Sequence, residues 1–97
     1  MLKVYQIIWE DDAKADFAFW IKTDKLIVKR IESLIDNIAS SPEFGIGKPE
    51  KLKHKFSGYW SRRINIEHRL IYKVLHDKKQ VWIVSCKGHY SILKIIN

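Results

Sequence analysis

At 97 residues the chain has room for one domain with one modest core. Its 46% hydrophobic and 30% charged residues are those of an ordinary globular protein, and no apolar run approaches the length of a membrane span. The net charge of +7 is unevenly divided, with six Lys/Arg against eight Asp/Glu in residues 1–47 and twelve against three in residues 48–97. Such a concentrated cationic half is the electrostatic footprint of a nucleic-acid binder, since solubility alone does not require segregating the signs.

The first elements follow in order. Lys3 to Trp9 is rich in Val, Tyr, Ile and Trp and reads as a strand. No small-residue cleavage site follows it, so no signal peptide is expected. The single cysteine, Cys86, excludes an internal disulfide and falls in an apolar run as a core residue. Together these features suggest the cytoplasm. Glu10, Asp11 and Asp12 supply the acids that a helix N-terminus favours, and Ala13, Phe17, Trp20 and Ile21 follow at helical spacing. Thr23-Asp24 ends this helix and caps the next. In the second helix Ile27, Ile31, Leu34, Ile35 and Ile38 form an apolar stripe opposite Lys25, Lys29, Arg30, Glu32 and Asp36. Ser40-Ser41-Pro42 ends it.

Residues 43–49 contain two glycines and a proline and read as a loop. The period then changes to two. Trp60, Ile64 and Ile66 interleave with Ser61, Arg63 and Asn65. After a turn near Glu67, His68, Leu70, Tyr72 and Val74 alternate with Arg69, Ile71, Lys73 and Leu75. Residues 76–79 form a polar hairpin turn, and Val81 to Cys86 has the near-continuous apolar character of a sheet centre buried on both faces. One strand, two helices, then three or four strands predict an α+β fold. A helical pair packs on one face of an antiparallel sheet.

The densest lysine run, Gly47-Lys48-Pro49-Glu50-Lys51-Leu52-Lys53-His54-Lys55, contains a carboxylate. A surface built only to hold a polyanion would gain by losing Glu50, because its charge repels phosphate. Downstream lie Arg62-Arg63, Glu67-His68-Arg69 and His89-Tyr90. RNA carries its own nucleophile, the 2′-hydroxyl. Cleavage then needs a base, an acid for the leaving 5′ oxygen and cations for the phosphorane, roles open to glutamate, histidine and arginine. On composition alone, however, Glu50 fits an ion pair with Lys48 or Lys53, and Glu67-His68-Arg69 a turn with an ion pair. Arg62 and Arg63 point to opposite faces of a strand, so at most one reaches a site on one face. His54, His68 and His76 read as surface or structural residues. Tyr59 and Trp60 could stack on bases, with Trp60 better placed in the core. No metal-ligand spacing and no P-loop is present, and no cofactor is expected.

The residues Trp20-x-x-Thr23-Asp24-Lys25, Gly47-Lys48-Pro49-Glu50-x-Leu52-Lys53-His54, Ser57-Gly58-Tyr59-Trp60-Ser61-Arg62-Arg63-Ile64, Glu67-His68-Arg69-Leu70-Ile71-Tyr72 and Cys86-x-x-His89-Tyr90 stand together in one order. In that order the chain resembles the YoeB/Txe family of bacterial toxins, within the RelE-like superfamily of type II toxin–antitoxin systems. The resemblance runs from about Ile7 to Tyr90. It implies a RelE-like α+β ribonuclease acting on translated mRNA in the ribosome, and a cognate antitoxin of the YefM/Axe kind that wraps the toxin. It also implies a possible homodimer. By residue, it makes Glu50 the general base, His89 the general acid and Arg69 the group that stabilises the phosphorane. Lys53 and Arg63 bind phosphate and Tyr90 orients the substrate. Glu67 pins Arg69 or His89. Gyrase-targeting toxins on the same superfold generally lack this set. A non-catalytic basic RNA- or ribosome-binding protein is the remaining alternative. Two departures stand out: family members commonly stop at His-Tyr, whereas Ser91 to Asn97 follow here, and Gly88 adds backbone freedom before His89.

Overall fold

The computed structural model describes residues 4–88; His89, Tyr90 and the tail 91–97 lie outside the described residues. The expected order is present: strand β1 (Gln6–Trp9), helices α1 (Asp11–Thr23) and α2 (Lys25–Ser40), then β2 (Glu50–Lys51), β3 (Tyr59–Arg63), β4 (Arg69–Leu75) and β5 (Gln80–Ser85). A single turn of 3₁₀ helix, His54–Phe56, separates β2 from β3.

The helices end where local chemistry ends them. Asp11 and Asp12 occupy the first turn of α1, where carboxylates complement the exposed N–H groups. Asp24 closes α1 and opens α2, its side chain accepting the N–H groups of Leu26 and Ile27 at 3.1 and 3.2 Å. Ile31, Leu34 and Ile38 of α2 are fully buried beside Ala13 and Trp20 of α1. They pack on Leu70, Tyr72, Val81 and Ile83 of the sheet. Ile21 departs from the expected stripe and is 56% exposed. The stripe that meets the core runs through Ala13, Phe17 and Trp20, and one further residue turns Ile21 about 100° away from it.

The sheet order is β1-β5-β4-β3-β2. Three pairings are antiparallel, as expected, but β1 lies parallel to β5. The helical pair makes this possible, because it carries the chain back across one face of the sheet. Burial on both faces falls on β4 rather than on residues 81–86. Leu70, Ile71 and Tyr72 are all buried, whereas Trp82 and Val84 of β5 are half-buried. β4 is the middle strand. The helices cover one of its faces, and Leu52 and Phe56 fold over Ile71 on the other.

Arg62 fixes how the chain enters β2. Alternation places it with Trp60 and Ile64 on the helix face, where it is fully buried. Its guanidinium donates to the carbonyls of Ser41, Phe44 and Ile46, to the Asn37 carboxamide and to the Tyr72 hydroxyl. Tyr72 donates in turn to the Pro42 carbonyl at 2.6 Å. The loop of residues 41–47 is thus wrapped around one cation. It ends at Gly47, whose φ of +80° places the backbone against Leu34, and whose carbonyl receives the Arg63 N–H at 2.7 Å. A β-carbon at Gly47 would stand 2.7 Å from the Leu34 side chain. Three residues later comes Glu50.

Candidate active site

β2, β3 and β4 lie side by side, and their register decides which side chains share a face. Glu50 is the partner of Ser61, and Ser61 of Ile71. Arg63 is the partner of Arg69 in the next row. Directly opposed residues project to the same side, so Glu50, Arg63 and Arg69 share the face that the helices leave open. Glu50 and Arg63 are exposed and Arg69 is half-buried. The expected split of Arg62 and Arg63 therefore holds: Arg62 goes to the core and Arg63 to the open face.

Two like charges directly opposed on neighbouring strands repel. Arg69 is steadied by the turn before it, where its guanidinium donates to the carbonyls of Asn65 at 2.8 Å and His68 at 3.2 Å. The Asn65 side chain holds that turn by accepting the N–H groups of Glu67 and His68. Among the described residues no ion pair joins Glu67 to Arg69; carbonyl oxygens take that place. Lys53 is exposed and follows Leu52, whose burial against Ile71 anchors the lysine run to the open face. Tyr59 lies on the same face under the Lys73 ammonium, 5.6 Å from its ring centre. Trp60 packs toward the core.

The Arg69 backbone N–H donates to the Gly88 carbonyl at 2.9 Å. That carbonyl belongs to the peptide joining Gly88 to His89. The expected site residues His89 and Tyr90 themselves lie outside the described residues.

Residues 9–90 match the family described as the YoeB-like toxin of bacterial type II toxin–antitoxin systems. The chain belongs to this family. It is 47% identical over 85 residues to Toxin YoeB of Escherichia coli K12, a match covering 88% of this chain and 99% of that one. Among solved structures, it superposes on the YoeB dimer of Staphylococcus aureus with a TM-score of 0.80 and 44% identity, over 90% of this chain and 99% of that one. A heterotetrameric YoeB–YefM toxin–antitoxin complex from the same organism gives 0.78 and 44%, over 89% and 98%. The chain is thus the toxin of a type II toxin–antitoxin system, with a RelE-like α+β fold.

The remaining titratable candidates have structural duties. His76 bonds Tyr5 at 2.8 Å and Glu43 at 2.7 Å, tying the residue before β1 to the loop after α2. His54 is exposed at a φ of +60° in the 3₁₀ turn. Cys86 is fully buried with its thiol directed at the Ala13 carbonyl, and burial pushes that thiol up to about 12. It is not a nucleophile at neutral pH.

His68 is different. It is half-buried, its ring stands edge-on to Trp20 at 4.8 Å, and its Nδ1 accepts the Gly88 N–H at 2.9 Å. The alternation of residues 68–74 gave no sign of this, because the partner lies 20 residues away. Arg62 did leave a signal, since it occupies an apolar position between Trp60 and Ile64.

Proposed function

We propose that the chain is a single toxin domain acting as a ribosome-dependent endoribonuclease, cutting translated mRNA by metal-independent acid–base chemistry. The observation that supports this most strongly is the register that sets Glu50, Arg63 and Arg69 on one open face of the sheet. On this reading Glu50 takes the proton from the 2′-hydroxyl as its oxygen attacks phosphorus. The bond from phosphorus to the 5′ oxygen breaks, and His89 protonates that oxygen. The products are a 2′,3′-cyclic phosphate and a 5′-hydroxyl. Arg69 stabilises the charge gathered on the phosphorane. Arg63 and Lys53 hold the flanking phosphates, and Tyr90 orients the substrate. Glu67, which forms no ion pair with Arg69, pins His89. DNA lacks the 2′-hydroxyl and is not cut.

Family membership supports the same activity, and also a cytoplasmic protein held in check by an antitoxin of the YefM kind. Among the described residues no helix is long and apolar enough to cross a membrane. Pairing of two copies is part of the proposal, and sedimentation measures it.

The test is to map mRNA 5′ ends after brief induction. Wild type is expected to produce new 5′-hydroxyl ends within translated regions. Glu50→Ala, Arg69→Ala and His89→Ala each lose them, by about 10²–10⁴-fold for an acid or base, while remaining folded. Growth arrest without new ends would favour a non-catalytic ribosome binder, and DNA damage with translation intact would favour gyrase as the target. Either result would overturn the nuclease reading.

A further inference from the structure

The stretch Cys86-Lys87-Gly88 is held at once by four residues from three elements. From α1, Asp16 accepts the Cys86 N–H at 3.0 Å, and Trp20 Nε1 donates to the Cys86 carbonyl at 2.8 Å. These residues are four apart and so lie on one side of the helix. From the turn before β4, His68 Nδ1 accepts the Gly88 N–H at 2.9 Å. From β4 itself, the Arg69 N–H donates to the Gly88 carbonyl at 2.9 Å. Gly88 adopts a φ of +87°, which a residue with a side chain rarely takes. The freedom of this glycine is therefore spent on one pinned conformation.

A backbone N–H can only donate, so His68 Nδ1 must carry a lone pair, and the ring proton resides on Nε2. The ring is braced edge-on against Trp20, the same side chain that grips Cys86. His68 and Trp20 thus form one bracket on both sides of Lys87. The Arg69 bond to the Gly88 carbonyl orients the peptide plane that leads into His89, and the His68 bond to the Gly88 N–H fixes the plane before it, so the two together set the backbone at Gly88.

We propose that His68 is a positioning residue for RNA cleavage. In its Nε2–H form, braced by Trp20, it fixes Gly88 and with it the peptide that presents His89. This rests on the nuclease reading above, in which His89 is the general acid. Loss of the Nδ1 acceptor leaves the Gly88 N–H without its partner and loosens the backbone at Gly88, which the Arg69 N–H alone then holds. Misplacing a catalytic group by about 1 Å can cost 10²-fold in rate.

Two substitutions separate the acceptor from the ring. His68→Phe keeps a ring against Trp20 and removes the acceptor. His68→Asn removes the ring but returns an oxygen to the position of Nδ1. On ribosomes programmed with a defined mRNA, His68→Phe is expected to lose about 10- to 100-fold in kcat with KM nearly unchanged. His68→Asn recovers most of that loss while melting at a lower temperature. The proposal is overturned if His68→Phe cuts like wild type, or if His68→Asn is as slow as His68→Phe. Wild type and Glu50→Ala run beside them. If wild type leaves the message intact, the nuclease reading falls and this inference with it. If wild type cuts, Glu50→Ala does not, and His68→Phe matches wild type, only the inference falls. Should His68→Phe not fold, the imidazole nitrogens of wild type decide. Long-range proton–nitrogen spectra should show His68 with Nδ1 unprotonated, and a protonated Nδ1 at neutral pH overturns the proposal.

Discussion

Asp16 and Cys86 meet beneath the end of β5, Asp16 half-buried and Cys86 buried, and the fold opposes the ionisation of both. Burial raises the Asp16 carboxyl above its ordinary 3.8, outweighing the Cys86 N–H and the Lys87 charge, which favour the ionised form. A carboxyl that binds its proton more tightly in the folded chain than in the unfolded one stabilises the fold where it is protonated. That contribution is complete below 3.8 and is lost as the pH rises through the higher folded value. Asp16→Asn keeps an oxygen for the Cys86 N–H and carries no charge to desolvate. It should therefore exceed wild type in urea midpoint at neutral pH, with the advantage shrinking in acid below the ordinary carboxylate range. A constant difference across that range would mean the carboxylate is well solvated. Cys86 makes a second prediction. With its thiol pushed up to about 12, native protein should resist thiol alkylation at neutral pH and become labelled only after denaturation, as mass spectrometry would show.

The elements whose limits were legible are those set by neighbours in sequence. The apolar stripe of α2, its Asp24 cap and its Ser-Ser-Pro stop are all local signals. Asp24→Ala should lower stability by about 1 kcal/mol in urea unfolding, because two N–H groups lose their acceptor. The sheet was legible in its strands but not in its pairings. β2 is two exposed, charged residues that become a strand only through register with Ser61 and Trp60. The parallel contact of β1 with β5 is likewise a long-range event. The candidate site followed the same rule: its residue types could be read along the chain, but that Glu50, Arg63 and Arg69 share one face is set by the register. Arg62 connects these levels. Three of its five bonds hold the loop that delivers Glu50 to the edge of the sheet, and the other two tie that loop to Asn37 of α2 and Tyr72 of β4. Arg62→Met leaves three part-buried loop carbonyls, the Asn37 oxygen and the Tyr72 hydroxyl without their donor and should cost on the order of 4 kcal/mol in urea unfolding. A loss near zero would mean that the loop finds other donors.

Across the whole molecule, the division of charge along the sequence becomes a division across space. β1 forms one edge of the sheet and runs into Glu10, Asp11 and Asp12; β2 forms the other edge, inside the lysine run. A polyanion approaching this molecule is drawn to the β2 edge, where Lys48, Lys51, Lys53 and Lys55 are all exposed. Glu50 can stand in that run because the surrounding cations offset its repulsion of phosphate. If these lysines meet the nucleic-acid backbone, each contact releases bound counterions, and affinity must fall as salt rises. Replacing Lys51, Lys53 and Lys55 with glutamine should flatten the plot of log affinity for ribosomes against log salt by about 0.7–0.9 per lysine that touches a phosphate. The same number of replacements on the helices, at Lys14, Lys22 and Lys25, alters net charge equally but lies away from that edge. Those variants should keep the wild-type slope. Equal flattening in both sets would mean that net charge alone, rather than the basic edge beside Glu50, governs binding.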